Sequence, residues 1–144
     1  MNLADKWLQS WIDWDYSDGT WYDSNGNRNM EKILAYVRPY PTATAGIPHN
    51  FTFNSTTLRF EFFFSPDIDI EAPTEIYIPS LRYTAGYDIA FDPEDFAYTM
   101  QGDFVYVFYV GPLETFPDVV KVVVTPPTSD KRMFWSYMMA RENL

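Results

Sequence analysis

The sequence contains no cysteine, so no disulfide framework supports the fold and thiol content says nothing about compartment. It has a single histidine, His49, with no partner in motif spacing. No P-loop, dinucleotide fingerprint, metal-spaced His or Cys cluster or nucleophile elbow is present, so no cofactor and no metal is expected. Basic residues are scarce: 10 Lys and Arg against 20 Asp and Glu give a formal net charge of −10. That balance argues against non-specific binding to nucleic acid, which is driven by Lys and Arg meeting phosphate. It also disfavours adsorption to an anionic membrane surface. No run approaches the ~20 apolar residues needed to span a bilayer. The first residues, Met-Asn-Leu-Ala-Asp-Lys, lack the basic segment and apolar core of a signal peptide.

What the chain does have is a core-forming composition, 47% apolar and 19% aromatic in 144 residues, room for about one ordinary domain. It is organised around the stretch Tyr36-Val-Arg-Pro-Tyr-Pro-Thr-Ala-Thr-Ala-Gly-Ile-Pro48. Pro39, Pro41 and Pro48 fix φ and remove amide donors, so neither a helix nor a central strand runs through it. Ala43, Ala45 and Gly46 are small enough to be pressed against a neighbouring surface. A free linker would be rich in Gly, Ser or charge; this one is apolar and stiff, and reads as a packed junction. Before it, Met1 to Lys6 reads as the end of a helix, and the aromatic stretch Trp7–Tyr16 suits a buried parallel strand. Ser24-Asn-Gly-Asn27 is a turn, and Asn29 caps a helix predicted over Met30 to Arg38. A strand followed by a helix is one β/α unit.

After the junction the period becomes two. Phe51 and Phe53 share a face; Leu58, Phe60, Phe62 and Phe64 alternate with Arg59 and Glu61; Ile76 and Ile78 with Glu75 and Tyr77; Tyr87, Ile89 and Phe91 with Asp88 and Ala90; Val120, Val122 and Val124 with Lys121. Phe104 to Val110 is apolar on both faces, as a central strand would be. Short strands separated by Pro, Gly or Asp turns predict an antiparallel sandwich. Beyond Pro126-Pro127, Met133, Phe134, Tyr137, Met138 and Arg141 recur at helical spacing, as in a docking helix or sequence peculiar to this chain.

Arg38-Pro-Tyr-Pro followed by Ala43-Thr-Ala-Gly-Ile-Pro48 resembles the segment that leaves the catalytic barrel of endoglycosylceramidase-like enzymes of glycoside hydrolase family 5. Ser10-Trp-Ile-Asp-Trp-Asp-Tyr16 with Trp21-Tyr-Asp-Ser-Asn-Gly26 looks like the last barrel strand and its loop, and Thr74–Pro79 and Tyr83–Tyr87 look like strands of the family's C-terminal sandwich. The resemblance covers roughly residues 5 to 125. It implies a mainly β fold: an antiparallel immunoglobulin-like β-sandwich preceded by one β/α unit left from a TIM barrel. The divisions are 1–38 for the barrel remnant, 39–48 for the junction, 49–126 for the sandwich and 127–144 for the tail. A whole barrel needs about eight such units, so the resemblance makes Met1 an internal residue of a longer parent.

Glycoside hydrolysis normally needs two carboxyl groups ~5–9.5 Å apart across the scissile bond. In the family both are glutamates on earlier barrel strands, which would lie before Met1, so no catalytic residue is assigned here; Asp13 and Asp15 flank Trp14 but read as solvated loop residues. The resemblance makes Trp14 the candidate floor under the sugar next to the cleaved bond, with Trp11 second, because the apolar face of a sugar stacks on an indole; core residues are the alternative. Asn50-Phe-Thr and Asn54-Ser-Thr are glycosylation sequons that suit a secreted or lysosomal parent. Asp67-Ile-Asp-Ile-Glu71 has the carboxylate spacing of a calcium loop or of a solvated acidic loop. Three functions remain open: the C-terminal portion of a glycosidase that cleaves glycan from ceramide, inactive by itself; a module binding glycan or glycolipid; or a purely structural buttress. The expected partner is a glycan or glycolipid met through the parent barrel, with membrane contact only through that substrate and no nucleic acid.

Overall fold

The computed structural model describes residues 2–10, 12 and 20–127. Asn2–Lys6 forms a short helix, α1, as the sequence predicts. Met30–Tyr36 forms α2, and the Asn29 side-chain oxygen accepts the Lys32 amide at 3.1 Å, satisfying one donor of the first turn. The helix stops two residues before the predicted Arg38. Pro39 disfavours helical backbone at the residue before it, and Val37 is already extended at φ −72° and ψ 111°.

Eight strands follow: β1 (Tyr40–Ala43), β2 (Gly46–Asn54), β3 (Arg59–Pro66), β4 (Thr74–Tyr77), β5 (Asp88–Asp92), β6 (Phe96–Gln101), β7 (Phe104–Tyr109) and β8 (Val120–Thr125). They make two antiparallel four-stranded sheets, ordered β1-β4-β7-β6 and β2-β3-β8-β5. The fold is mainly β, as the alternation predicts. The stretch 39–48, read as a junction, supplies β1 and the start of β2, so it is built into both sheets.

The core lies between the sheets. Phe60, Phe62 and Phe64 of β3 stand beside Val124, Val122 and Val120 of β8, all essentially inaccessible to water. Ile76, Val105 and Val107 meet them from the opposite sheet. This is the outcome of period-two patterning: alternate residues point to one face, and that face must leave water. Gly46 marks where β2 leaves the β1 turn. Its φ is +138°, and a Cβ there would collide with the Ser65 carbonyl oxygen and lie 2.9 Å from Pro66 Cα.

The two outer faces differ. On the β3–β8 side, Glu61 is held by Arg59 at 2.9 Å and Lys121 at 2.8 Å, and the hydrogen bond from Lys121 foremost holds its carboxyl below the usual carboxylate range. On the other sheet β7 is interior, between β4 and β6, but only Val105 and Val107 are buried; Phe104 and Phe108 face outward and are exposed. The two-faced apolar character of Phe104–Val110 therefore does not reflect burial on both sides.

The strand expected over Trp7–Tyr16 is absent from its described part. Trp7 and Leu8 form a turn after α1, with Gln9 N–H on the Ala4 carbonyl at 2.8 Å, and Ser10 and Ile12 join no ladder. Trp7 is 64% and Ile12 89% exposed. A parallel strand needs flanking strands to take its amide groups, and none is present beside it among the described residues. The remainder of that stretch and the tail from residue 128 lie outside the described residues.

Candidate functional site

Two features stand out on this scaffold: the fastening between α1, α2 and the sandwich, and an aromatic cleft and face that begin at Tyr40.

The fastening starts from the break at Pro39. Because the chain turns extended there, Arg38 is carried under α1 instead of onto the helix surface. It is 6% exposed and pairs with the Asp5 carboxylate, itself 3% exposed; Arg38 also donates to Asn2 Oδ1 at 3.0 Å. Burial raises the Asp5 carboxyl above its ordinary value, and the neighbouring Arg38 guanidinium opposes that rise. The Phe53 ring sits between two cations, 5.5 Å from the Arg38 guanidinium carbon and 5.6 Å from that of Arg82. Arg82 donates its Nε to the Val37 carbonyl at 2.8 Å and an Nη to the Leu34 carbonyl. These are carbonyls at the C-terminal end of α2, which lack intrahelical donors and favour a cation. Burial, and then Arg38, lowers the Arg82 proton affinity from its ordinary value. Arg38 Nε is buried without a hydrogen-bond partner. Behind this group the Tyr83 hydroxyl donates to the Leu58 carbonyl at 2.8 Å, and burial pushes its phenol up.

On the other side of Arg38 lies a cleft of about 750 Å³, lined in part by Gln9, Ser10, Tyr36, Tyr40, Thr42 and Thr44. Its polar groups are neutral hydroxyls and an amide, apart from the buried Asp5–Arg38 pair. Tyr40 also begins a row of rings across the outer face of the first sheet. Register places Tyr40 opposite Tyr77, and Tyr77 opposite Phe104. The ring centroids are 5.3 Å apart for Tyr40–Tyr77 and 5.5 Å for Tyr77–Phe104. Tyr40 is 43% and Phe104 36% exposed. Burial, with Asp103 and Tyr40 nearby, pushes the Tyr77 phenol up. Gln101 continues the row on β6. The arrangement offers stacking surface and neutral or acceptor groups. Among its described lining residues the cleft has one carboxylate, that of Asp5, and it is paired with Arg38.

Trp14 and Trp11, expected to contact sugar, lie outside the described residues, as do Asp13 and Asp15. Asn54 is exposed at the end of β2, its Oδ1 accepting the amides of the turn residues Thr56 and Thr57 at 2.9 and 3.0 Å, whereas Asn50 is half-buried within β2. In the Asp67–Glu71 loop, Asp67 Oδ1 accepts the Asp69 amide at 3.0 Å, and among the described residues no three acids gather in a way that would hold a metal ion. His49 Nε2 lies 2.8 Å from Ser65 Oγ on the surface. Sequence reasoning gave no role to Asp5, Arg82 or the ring row. The outward parity of Tyr77 and Phe104 was legible as a signal: aromatics at positions that should face water.

A family model described as the glycoside hydrolase family 5 C-terminal domain matches residues 38–124. Endoglycoceramidase I of Rhodococcus hoagii is 33% identical over 88 residues, which are 58% of this chain and 17% of that protein. Among solved structures, endo-glycoceramidase II of a Rhodococcus species in a ganglioside GM3 complex superposes with a TM-score of 0.64 at 26% identity, over 87% of this chain and 26% of that one. Sterylglucosidase 1 of Cryptococcus neoformans superposes with a TM-score of 0.57 at 28% identity, over 70% of this chain and 15% of that one. This chain thus spans between about a seventh and a quarter of the length of these relatives. With most of its sandwich inside the matched region, the chain belongs to the glycoside hydrolase family 5 C-terminal domain family.

Proposed function

We propose that this chain acts as the C-terminal portion of a retaining glycosidase that cleaves a β-linked sugar from a lipid, with ceramide-linked glycans as the first substrate class. In this reading residues 1–38 complete a (β/α)₈ barrel as its last unit, and an immunoglobulin-like sandwich buttresses that barrel. The catalytic carboxylates belong to the part of the parent that precedes residue 1. Trp14, with Trp11 as the second candidate, would meet the sugar next to the cleaved bond.

One observation carries this reading. The likeness to endo-glycoceramidase II extends over 87% of the chain, more than everything from residue 38 to the end amounts to, so it reaches into the segment before Arg38. A module that only bound glycan would have no need for that segment, nor for the buried Asp5–Arg38 pair that fastens it to the sandwich. Asn54, exposed at the end of β2, is the sequon better placed to carry a glycan away from the core if the parent is secreted or lysosomal.

The test is a chimera. Replace the C-terminal portion of Rhodococcus endo-glycoceramidase II that this chain matches by residues 1–144, and assay release of the sugar headgroup from a glycosphingolipid. The chimera is expected to hydrolyse, and the 144-residue chain alone to show no turnover. A folded chimera without activity, or hydrolysis by the chain alone, overturns the reading.

A further inference from the structure

We propose that Tyr40, Tyr77 and Phe104 form a stacking platform for a neutral β-linked glycan on the outer face of the first sheet. The platform lies within the sandwich itself, on strands β1, β4 and β7. It rests on the proposed function only for the choice of β-linked sugars as probes.

The starting point is an apolar excess that folding does not use. Period-two patterning buries Ile76, Val105 and Val107, and the opposite face of the same strands should then be polar. Instead Tyr77 and Phe104 stand there, joined by Tyr40 from β1, as a continuous row with centroid spacings of 5.3 and 5.5 Å. Successive rings tilt by 48° and 56°, so each presents its own face and the row is a stepped ribbon, not a flat plane. A stepped ribbon fits a single glycan chain, whose successive sugar rings rotate relative to one another.

Charge selects the ligand. None of the four strands β1, β4, β6 and β7 carries a lysine or arginine, and their one charged residue is Glu75. Phosphate, sulfate and anionic lipid therefore find no counter-charge on this face. What borders the rings accepts hydrogen bonds: Glu75, the Gln101 amide oxygen, and Asp103, whose Oδ1 already takes the Ser80 amide at 3.1 Å and is thereby fixed. Acceptor groups around exposed aromatic rings match a ligand with apolar C–H faces and many hydroxyl donors. A carboxylate-bearing, sialylated sugar is disfavoured by the same groups. Tyr40 also lines the cleft of about 750 Å³, so a glycan has a continuous path from the cleft onto the ribbon.

The experiment uses the full 144-residue chain and soluble probes: lactose, cellotetraose and a sialylated lactose. Binding is followed by calorimetry and by backbone amide NMR shifts. The expected result is saturable binding of cellotetraose, tighter than lactose, with shifts on Tyr40, Thr99 and Gln101, and weaker binding of the sialylated sugar. Y40A/F104A should weaken cellotetraose binding about ten-fold or more, the loss of two ring contacts, while R59A on the opposite sheet leaves it unchanged. If Y40A/F104A fails to fold by circular dichroism, the single edge-strand variant Y40S and the wild-type shift map decide the matter. The proposal is overturned by absent binding, by shifts confined elsewhere, by unchanged affinity in the variants, or by sedimentation showing these rings buried in a dimer that Y40A/F104A dissociates. A chimera that hydrolyses while the chain binds no sugar removes the platform and leaves the glycosidase reading standing; the opposite pair of results removes the glycosidase reading alone.

Discussion

Replacing Arg38 by Met should undock the N-terminal segment at neutral pH and re-dock it in acid. In the native chain the Asp5 carboxylate is 3% exposed and faces the Arg38 guanidinium. Met keeps much of the apolar stem and removes the charge, leaving Asp5 ionised and buried without a counter-charge. Breaking a buried pair from one side costs about 3–5 kcal/mol, and the lost cation–π contact with Phe53 adds up to about 2 kcal/mol. That penalty need not unfold the sandwich, because α1 can escape it by leaving the surface. The loss measured locally is therefore capped by the free energy that docks α1. The pH dependence follows from the sign of the Asp5 shift. Burial raises this carboxyl and Arg38 opposes the rise, so removing Arg38 raises it further. An acid whose folded-state value lies above its unfolded value destabilises the folded state increasingly as pH rises through that window, and the penalty vanishes once the group is protonated. Hydrogen exchange of Asn2–Leu8 and α2, compared with that of β3 and β8, is the assay. Protection of α1 should fall at neutral pH in R38M, recover as pH is lowered toward the carboxylate range, and be restored at all pH in D5L/R38M, where both charges are gone. Equal protection of α1 in R38M and wild type at neutral pH, or a loss that does not depend on pH, refutes the reasoning.

Two further outcomes follow from the backbone. Gly46→Ala should lower stability by roughly 1–3 kcal/mol, since it adds a Cβ against Ser65 and Pro66 at a φ of +138° that L residues avoid; an unchanged urea midpoint would show that the β1–β2 turn can relax. A chain of residues 38–127 should melt cooperatively, whereas one beginning at Ile47 strips β1 from the edge of β4 and should melt at lower temperature or without cooperativity; matching thermal transitions would show β1 to be dispensable.

The strands were legible in the sequence because burial and backbone follow one local rule there. Phe60 and Phe62 alternate with Arg59 and Glu61, and a pleated chain puts every second side chain on one side. The Asn29 cap was legible for the same reason, since its partner is three residues away. Over Trp7–Ser10 composition did not decide the outcome, because a buried parallel strand and an exposed turn can have the same composition; the difference lies in whether neighbouring strands supply hydrogen bonds. The end of α2 was not legible in the apolar spacing, because Pro39 disfavours helical backbone at Arg38 and Val37 is already extended.

By itself, then, the sequence determined the mainly β architecture, the core faces and the family, all carried by local periodicity and by the motif from Arg38 to Pro48. The tertiary structure alone decided that this motif is woven into both sheets, that Arg38 is buried against a carboxylate 33 residues earlier in the chain, and that Arg82 closes the end of a helix 45 and 48 residues before it. It also decided that Tyr40, Tyr77 and Phe104 form one row. Each of these depends on strand register and on which edge meets which, and register is set by the summed packing of the whole core, which no window of sequence contains.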